Sequence, residues 1–439
     1  MSMEKQVYHL RREKIFQQMP DNSIALLTSA EIKYRNSDTE YPYRQDSHFY
    51  YLTGFDECES LAVLLKKKGQ NHFILFCQDR DPQAEQWTGV RVGVNDALEI
   101  YGADEAYPIG EASKRMPELL AGTTIIYFLV NNSPEFDKKV FSWVKALGKK
   151  IRSGITTPRQ FVDFRQIVDE ARLIKSQDEL QLMRKACSLS ADAHVHAMKH
   201  CQVGMYEYEL EAILLKEFYR HGSRFPAYSS IVATGDNACT LHYTRNDKMI
   251  KEKDLVLIDA GAEYHHYAAD ITRTFPANGK FTKEQQAIYE LVLAAQQSAI
   301  QQIAPEVPWN KAQETILHIL VQGLIDLKIL KGSVATLLEE KAYLPFYMHN
   351  SGHWLGMDVH DVGEYRVQGN WRPLKPGMVF TVEPGLYISA DNMSVAEQWR
   401  GIGVRIEDDI VVTEQGYEVL TEGVPKSVHE IEKLMKDRG

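Results

Sequence analysis

Carboxylates interrupt apolar runs at several places in the second half of this 439-residue chain. The segment DLVLIDAGAEYHHYAADITRTF ends one run on Asp259 and opens the next on Asp270. A hairpin closed by Ala262 and Tyr267 around EYHH would set Asp259 opposite Asp270, because both pairs sum to the same index. Opposed residues of an antiparallel pair share a face and lie about 5 Å apart at Cβ. Carboxylates that close repel each other unless a proton or a cation lies between them. Without that hairpin, they read as two exposed aspartates flanking a turn.

A second pair has the same character. Glu383 follows an apolar strand in VFTVEPG, just before Pro384, and Glu407 lies in GIGVRIEDDIVVT. There Ile402, Val404 and Ile406 alternate with Gly403, Arg405 and Glu407, so Arg405 and Glu407 project from one face. An arginine beside a metal-bound carboxylate would keep it ionised; the plainer reading is the polar outer face of an edge strand. The third piece, HNSGHWLGMDVHD, carries His349, His353 and His360. The i, i+4 spacing of the first two differs from HExxH because Asn350 stands where Glu is required, and Asn, Ser and Gly make a poor helix. A mononuclear zinc peptidase therefore does not fit. His242, alone in CTLHYT, reads by itself as structural. Four carboxylates with one imidazole match an oxygen-rich site for two divalent ions, Mn²⁺ first, with Co²⁺, Fe²⁺ or Zn²⁺ as alternatives and a thiolate site excluded. Two dications balance four carboxylates and leave a bridging hydroxide as nucleophile.

The elements around these residues fall into two groups. In the first 170 or so residues, strand-length apolar runs lie at 23–28, 60–65, 72–77 and 124–130, with KKKGQN turning the middle two into a hairpin. A helix is expected over 133–147, and neither GxGxxG nor GxxxxGK[ST] occurs in this half. From Ser176 the pattern predicts a long amphipathic helix with a Ser176–Glu179 capping box. Its apolar stripe is Leu180, Met183, Cys187, Ala191, His194 and Met198, and His194 and His196 read simply as parts of the helix. A second helix spans 206–221 and ends at Gly222. The shift in pattern sets a domain boundary near Ala171. Beyond it, strands at 254–259, 378–383 and 402–412 alternate with helices at 283–303 and 310–327.

Composition narrows the class further. Fifty Lys and Arg against sixty Asp and Glu give a net charge of −10, which disfavours nucleic acid and anionic membrane surfaces as partners. No run approaches 18 apolar residues, so no membrane span is expected. The N-terminal MSMEKQVYHLRREK has charges where a signal peptide needs an apolar core. Five scattered cysteines without a CxxC fit a reducing cytoplasm better than a disulfide framework.

At the residues above, the chain resembles the pita-bread metallopeptidases, a family that includes aminopeptidase P, prolidase, methionine aminopeptidase and the metal-free creatinase. IDAGAEYHHYAADITRTFP, HNSGHWLGMDVHDVG, LKPGMVFTVEPGLYI and GIGVRIEDDIVV carry the resemblance, and RNSDTEYPYRQDSHFYYLTGF resembles the signature of the creatinase-like N-terminal domain. It implies an α/β N-terminal domain, 1–171, serving oligomerisation and the pocket wall. A catalytic α+β domain, 172–439, would have a curved, mainly antiparallel sheet. By the same resemblance Asp259, Asp270, His353, Glu383 and Glu407 are the metal ligands, with Asp270 and Glu407 bridging and Glu383 shuttling a proton. His242 and His360 would hold the substrate carbonyl and stabilise the oxyanion, His349 would support the proline pocket, and Arg405 would orient the carboxylates. Asp38, Trp87, Arg152, Tyr228, Tyr365 and Tyr387 are implied pocket residues. The implied activity is release of an N-terminal residue preceding proline from peptides, by a homodimer or homotetramer. Cleavage of Xaa-Pro dipeptides alone, as in prolidase, is the alternative, and a non-catalytic binding protein on the same fold a more distant one.

Overall fold

The apolar runs of the first half pair into one mixed six-stranded sheet. Its order is Glu105–Pro108, Gln70–Cys77, Leu61–Lys67, Ser23–Thr28, Ile125–Phe128, Gln160–Asp163. Lys67 pairs with Gln70 across a two-residue turn in which Lys68 and Gly69 both have positive φ, the geometry whose twist suits a hairpin. The helix Pro134–Gly148 starts where Ser133 caps the Phe136 N–H, and its Val140, Trp143 and Leu147 belong to the same buried core as Ile24, Leu26 and Val63 of the sheet. The chain divides into two units, Met1–Arg172 and Leu173–Gly439, and this computed structural model describes residues 5–437. The first four residues of the charged N-terminal stretch lie outside that range, and Lys5–Gln18 is helical. No helix among the described residues is long and apolar enough to cross a membrane.

In the C-terminal unit the capping box of Ser176 and Glu179 opens the helix Gln177–His200, and the whole predicted stripe is buried. His194 does more than belong to this helix. Its Nε2–H donates to the Ala260 carbonyl at 2.8 Å, which ties the helix to the chain beside Asp259.

Two expectations need correction. Asp259 pairs with Thr272, not Asp270. The hairpin Ala262–Tyr264 to Tyr267–Ala268 turns on only His265 and His266, both with positive φ, whereas a wider EYHH loop was expected. Histidine is not the usual residue for that turn, so nothing local marked it. The slip is two residues, and since strand side chains alternate with period two, the shared face survives.

The second correction concerns 402–412, which is two strands. Ile402–Arg405 pairs with Gly385–Ile388, and Asp408–Thr413 pairs with Val379–Val382. Both members of the ladder break together, at Glu383-Pro384 and at Ile406-Glu407. Pro384 has no N–H to offer, and its carbonyl accepts instead from the Ile406 N–H at 3.2 Å. The break frees the Glu407 N–H to donate to the Thr272 carbonyl at 3.1 Å, joining this ladder to the Asp259 sheet. The "outer face" reading is thereby excluded, since Arg405 and Glu407 are both buried.

Burial holds the His194 imidazole down at about 4. A base depressed below its unfolded value contributes stability above that value and loses it as pH falls through the folded one. His194 should therefore cost the fold about 3 kcal/mol between pH 6.5 and 4. Urea unfolding of His194→Gln should show a shallower acid slope by that amount; parallel slopes would refute the assignment.

Candidate metal centre

Strand ends and one loop deliver the candidate ligands to a cavity of about 950 Å³, whose walls include Asp259, Asp270, His353, Glu383, Glu407 and Arg405, together with His242, His349 and His360. Asp259 closes its strand, Asp270 stands two residues before Thr272–Pro276, and Glu383 and Glu407 sit at the paired breaks. His353 arrives on a stretch without helix that runs along Val379–Val382. The Thr381 N–H donates to the His353 carbonyl, and the Glu383 N–H to that of Ser351. Gly352 is required there, because a Cβ would stand 2.0 Å from the Thr381 oxygen.

Donor atoms of Asp270, His353 and Glu407 all lie within 4.8 Å of one another. His353 Nε2 is 3.3 Å from Asp270 and 3.8 Å from Glu383. Its Nδ1–H donates to the Trp354 carbonyl at 3.0 Å, which fixes the ring and leaves Nε2 facing the carboxylates, the arrangement usual for a ligating histidine. The Tyr228 hydroxyl sits 2.6 Å from Asp259 Oδ1 and 2.5 Å from Asp270 Oδ1. One hydroxyl proton cannot serve two carboxylates, so this corner needs a further proton or a cation.

The titration of the group says the same. Burial, with Asp259 adding repulsion, raises Asp270. Burial and then the charges of Asp270, Glu383 and Asp259 drive Glu407 far up, and burial pushes Glu383 to about 7. Burial opposes a charged His353, but its hydrogen bond to Asp270 and the charges of Asp270 and Glu383 prevail and lift it to about 9. Carboxyls raised in this way, with an imidazole aimed among them, fit divalent cations.

Arg405 supplies the fixed charge. Its guanidinium donates to Asp259 Oδ2 at 2.5 Å, to Thr272 Oγ1 at 3.1 Å and to the Tyr387 hydroxyl at 3.1 Å. Tyr387 in turn lies 2.8 Å from His349 Nε2, and the His349 Nδ1–H donates to the Asn350 carbonyl at 2.7 Å. Burial and the Arg405 charge hold His349 down at about 4. Burial, then the charge of His353, lowers His360 as well.

The predicted pocket residues divide. Tyr228 and Tyr365 line the cavity, and the Tyr365 ring stacks on Trp354. Tyr387 is buried behind His349 and is not a wall residue. Asp38, Trp87 and Arg152 belong to the N-terminal unit and are exposed, Trp87 by 89%. Sequence reasoning missed Thr272, which donates to Glu407 Oε2 at 2.6 Å, and Thr381, which accepts from the His353 N–H at 3.2 Å. Each stands two residues from a carboxylate, Asp270 or Glu383, so period-two alternation could have found both. Asp409 accepts the Asp270 N–H at 2.9 Å, and nothing in the sequence singled it out.

A model of metallopeptidase family M24 matches residues 181–414. The chain belongs to metallopeptidase family M24. A model of the aminopeptidase P N-terminal domain matches residues 8–127, so this M24 metallopeptidase has the two-part organisation of that branch. It is 47% identical to Xaa-Pro aminopeptidase of Haemophilus influenzae, over 99% of this chain and 98% of that protein. Identity to the Escherichia coli K12 Xaa-Pro aminopeptidase is 46%, over 99% and 98%. Pseudomonas aeruginosa aminopeptidase PepP superposes with a TM-score of 0.98 at 51% identity, covering 100% of this chain and 99% of that one. E. coli aminopeptidase P with the inhibitor Pro-Leu gives 0.97 at 45%, over 100% and 99%. The pita-bread architecture with its mainly antiparallel sheets is thus the fold of the C-terminal unit.

A carboxyl with a raised folded pKa keeps its proton longer than in the unfolded chain, so the cation-free fold loses stability as pH climbs through about 7 at Glu383. Added cation should reverse that loss. After chelation, Mn²⁺ should raise Tm by several degrees at pH 8 and by less than half as much at pH 5.5, read by calorimetry. Equal gains at both pH values would contradict the coupling.

Proposed function

We propose that this chain is an Xaa-Pro aminopeptidase that holds two divalent cations on Asp259, Asp270, His353, Glu383 and Glu407. The observation that carries the reading is the convergence of four carboxylates and an oriented imidazole on one cavity, in a chain whose full-length relatives are named for this activity. Bound there, the cations supply Lewis acidity and a water of lowered pKa. Mn²⁺ is the first choice, with Co²⁺, Fe²⁺ or Zn²⁺ as alternatives; a zinc-substituted form is described for the E. coli relative.

The chain's own residues do the rest. Asp270 and Glu407, whose ligating atoms lie with that of His353 within 4.8 Å of one another, would be shared between the two cations, with Asp259, His353 and Glu383 completing the set. Glu383 stands beside His353 and His349 and takes the proton of the attacking water, returning it to the proline nitrogen as the Xaa-Pro bond breaks. His242 and His360 hold the substrate carbonyl and meet the negative charge that develops on its oxygen. Neutral His349, locked between Tyr387 and Asn350, supports the proline side of the pocket. Its relatives are named as aminopeptidases, so the enzyme acts at the free amino end of a peptide, as an exopeptidase. The Xaa-Pro bond has no N–H for a peptidase to grip, and this site needs none.

Cavity size favours oligopeptides over dipeptides, since about 950 Å³ stands at the upper end of ligand sites. All five cysteines are free, in keeping with a cytoplasmic enzyme. The domains are taken as 1–171 and 172–439. The first serves assembly into a homodimer or homotetramer, in which exposed Asp38, Trp87 and Arg152 could meet a neighbouring copy's pocket.

With Mn²⁺, the protein should release the first residue of an Xaa-Pro-Xaa tripeptide far faster than it splits the matching dipeptide. Cleavage of the dipeptide alone would make it a prolidase. His353→Ala should abolish turnover and lose metal. His360→Ala should lower kcat by about 10²-fold or more with little change in KM; an effect confined to KM would remove it from transition-state stabilisation.

A further inference from the structure

We infer that two carboxylates of the helix Glu207–Arg220, Glu207 and Glu211, anchor the loop that carries His242. Neither lines the cavity, so they are positioning residues; the inference rests on the role given above to His242. Between the strands Ile231–Thr234 and Leu255–Asp259 the chain has no regular element beyond the short turn Gly235–Cys239. Leu241, His242 and Thr244 of this stretch face the cavity. Over residues 241–249 only Tyr243 and Asn246 are buried, and these two are held by the helix.

Glu207 is fully buried and accepts four hydrogen bonds, which fills its lone-pair positions. Oε1 takes the Thr234 N–H at 2.7 Å and the Asn237 amide at 3.0 Å, and Oε2 takes the Tyr243 hydroxyl at 2.8 Å and the Lys248 N–H at 2.9 Å. One carboxylate therefore ties the start, middle and end of the loop together. Its own N–H donates to the Lys248 carbonyl at 2.9 Å, closing the base. One helical turn on, Glu211 Oε2 accepts from Asn246 at 2.9 Å. Asn246 adopts a positive φ of 47°, donates to the Ser230 carbonyl at 2.9 Å and accepts the Val232 N–H at 3.0 Å.

His242 thus sits next to Tyr243, the one buried ring of the loop, and the Tyr243 hydroxyl ends on Glu207. A loop side chain that must meet a developing oxyanion gains from being held this way, since misplacement by about 1 Å can cost 10²-fold in rate. Charge-assisted bonds to a buried carboxylate are strong and directional, and the burial that makes Glu207 hard to replace keeps water from competing for its donors.

Hydrogen exchange and kinetics on Tyr243→Phe and Glu207→Gln would test the anchor; Tyr243→Phe removes the hydroxyl that meets Glu207 and, at 3.3 Å, Asp247 Oδ1, and leaves the buried ring in place. Exchange over 234–248 should quicken at least tenfold in both variants, while 255–276 keeps its protection. Unchanged exchange in the loop would overturn the anchor, whatever peptide the enzyme cleaves. Kcat of Tyr243→Phe on an Xaa-Pro peptide should fall about tenfold with bound metal unchanged. In a His242→Ala background the same substitution should cost nothing more, because its effect passes through that imidazole. An equal fold-loss in both backgrounds would show a role unrelated to His242 and overturn the proposal, and wild-type silence on Xaa-Pro peptides would count against the proposed activity while the exchange result still decides the anchor.

Discussion

Four carboxylates share one cavity, and that crowding is the constraint from which the rest of the C-terminal unit follows. Burial alone makes each charge costly, and proximity multiplies the cost. Arg405 answers for Asp259, a hydroxyl from Tyr228 or Thr272 meets individual oxygens, and His353 faces Asp270 and Glu383 with its ring nitrogen. Even so, burial raises the carboxyls of Glu383, to about 7, and of Glu407, where the neighbouring carboxylates add to it. A fold that tolerates such a cluster is built for cations, and their binding energy is available as folding energy.

The histidines around the cluster are separated by their surroundings into distinct kinds. His353 lies against Asp270 and Glu383 and is pushed towards the charged state. His349, four residues earlier, is lowered by burial and then by the Arg405 charge beyond Tyr387, and is kept neutral. The same side chain is thus driven towards charge in one place and held uncharged in the other. Neither outcome is intrinsic to imidazole, which titrates near neutrality on its own.

Backbone irregularity does the positioning. Pro384 breaks one strand, its partner breaks at the facing position, and the two interruptions carry Glu383 and Glu407. His353 comes from a non-helical stretch whose close approach to Thr381 depends on Gly352. His242 comes from a loop with almost no regular structure, gripped through Tyr243 and Asn246.

Much of this was legible in the chain. Period two marked Arg405 and Glu407 as neighbours on a face, a capping box announced the helix at Ser176, and charged residues ending apolar runs marked Asp259, Asp270 and Glu383. These signals are local, and local chemistry does not depend on the rest of the fold. The same alternation let the face of Asp259 and Asp270 survive a two-residue error in register, though it could not reveal that His265 and His266 make the turn. What only the tertiary structure decided are the long-range meetings: Asp409 behind the Asp270 backbone, His194 on Ala260, Tyr387 behind His349 rather than in the pocket wall, and Glu207 under the loop of His242. Each joins residues that sequence distance leaves unrelated. The partner of a buried polar group is chosen by which elements pack together, and that choice is made by the whole core.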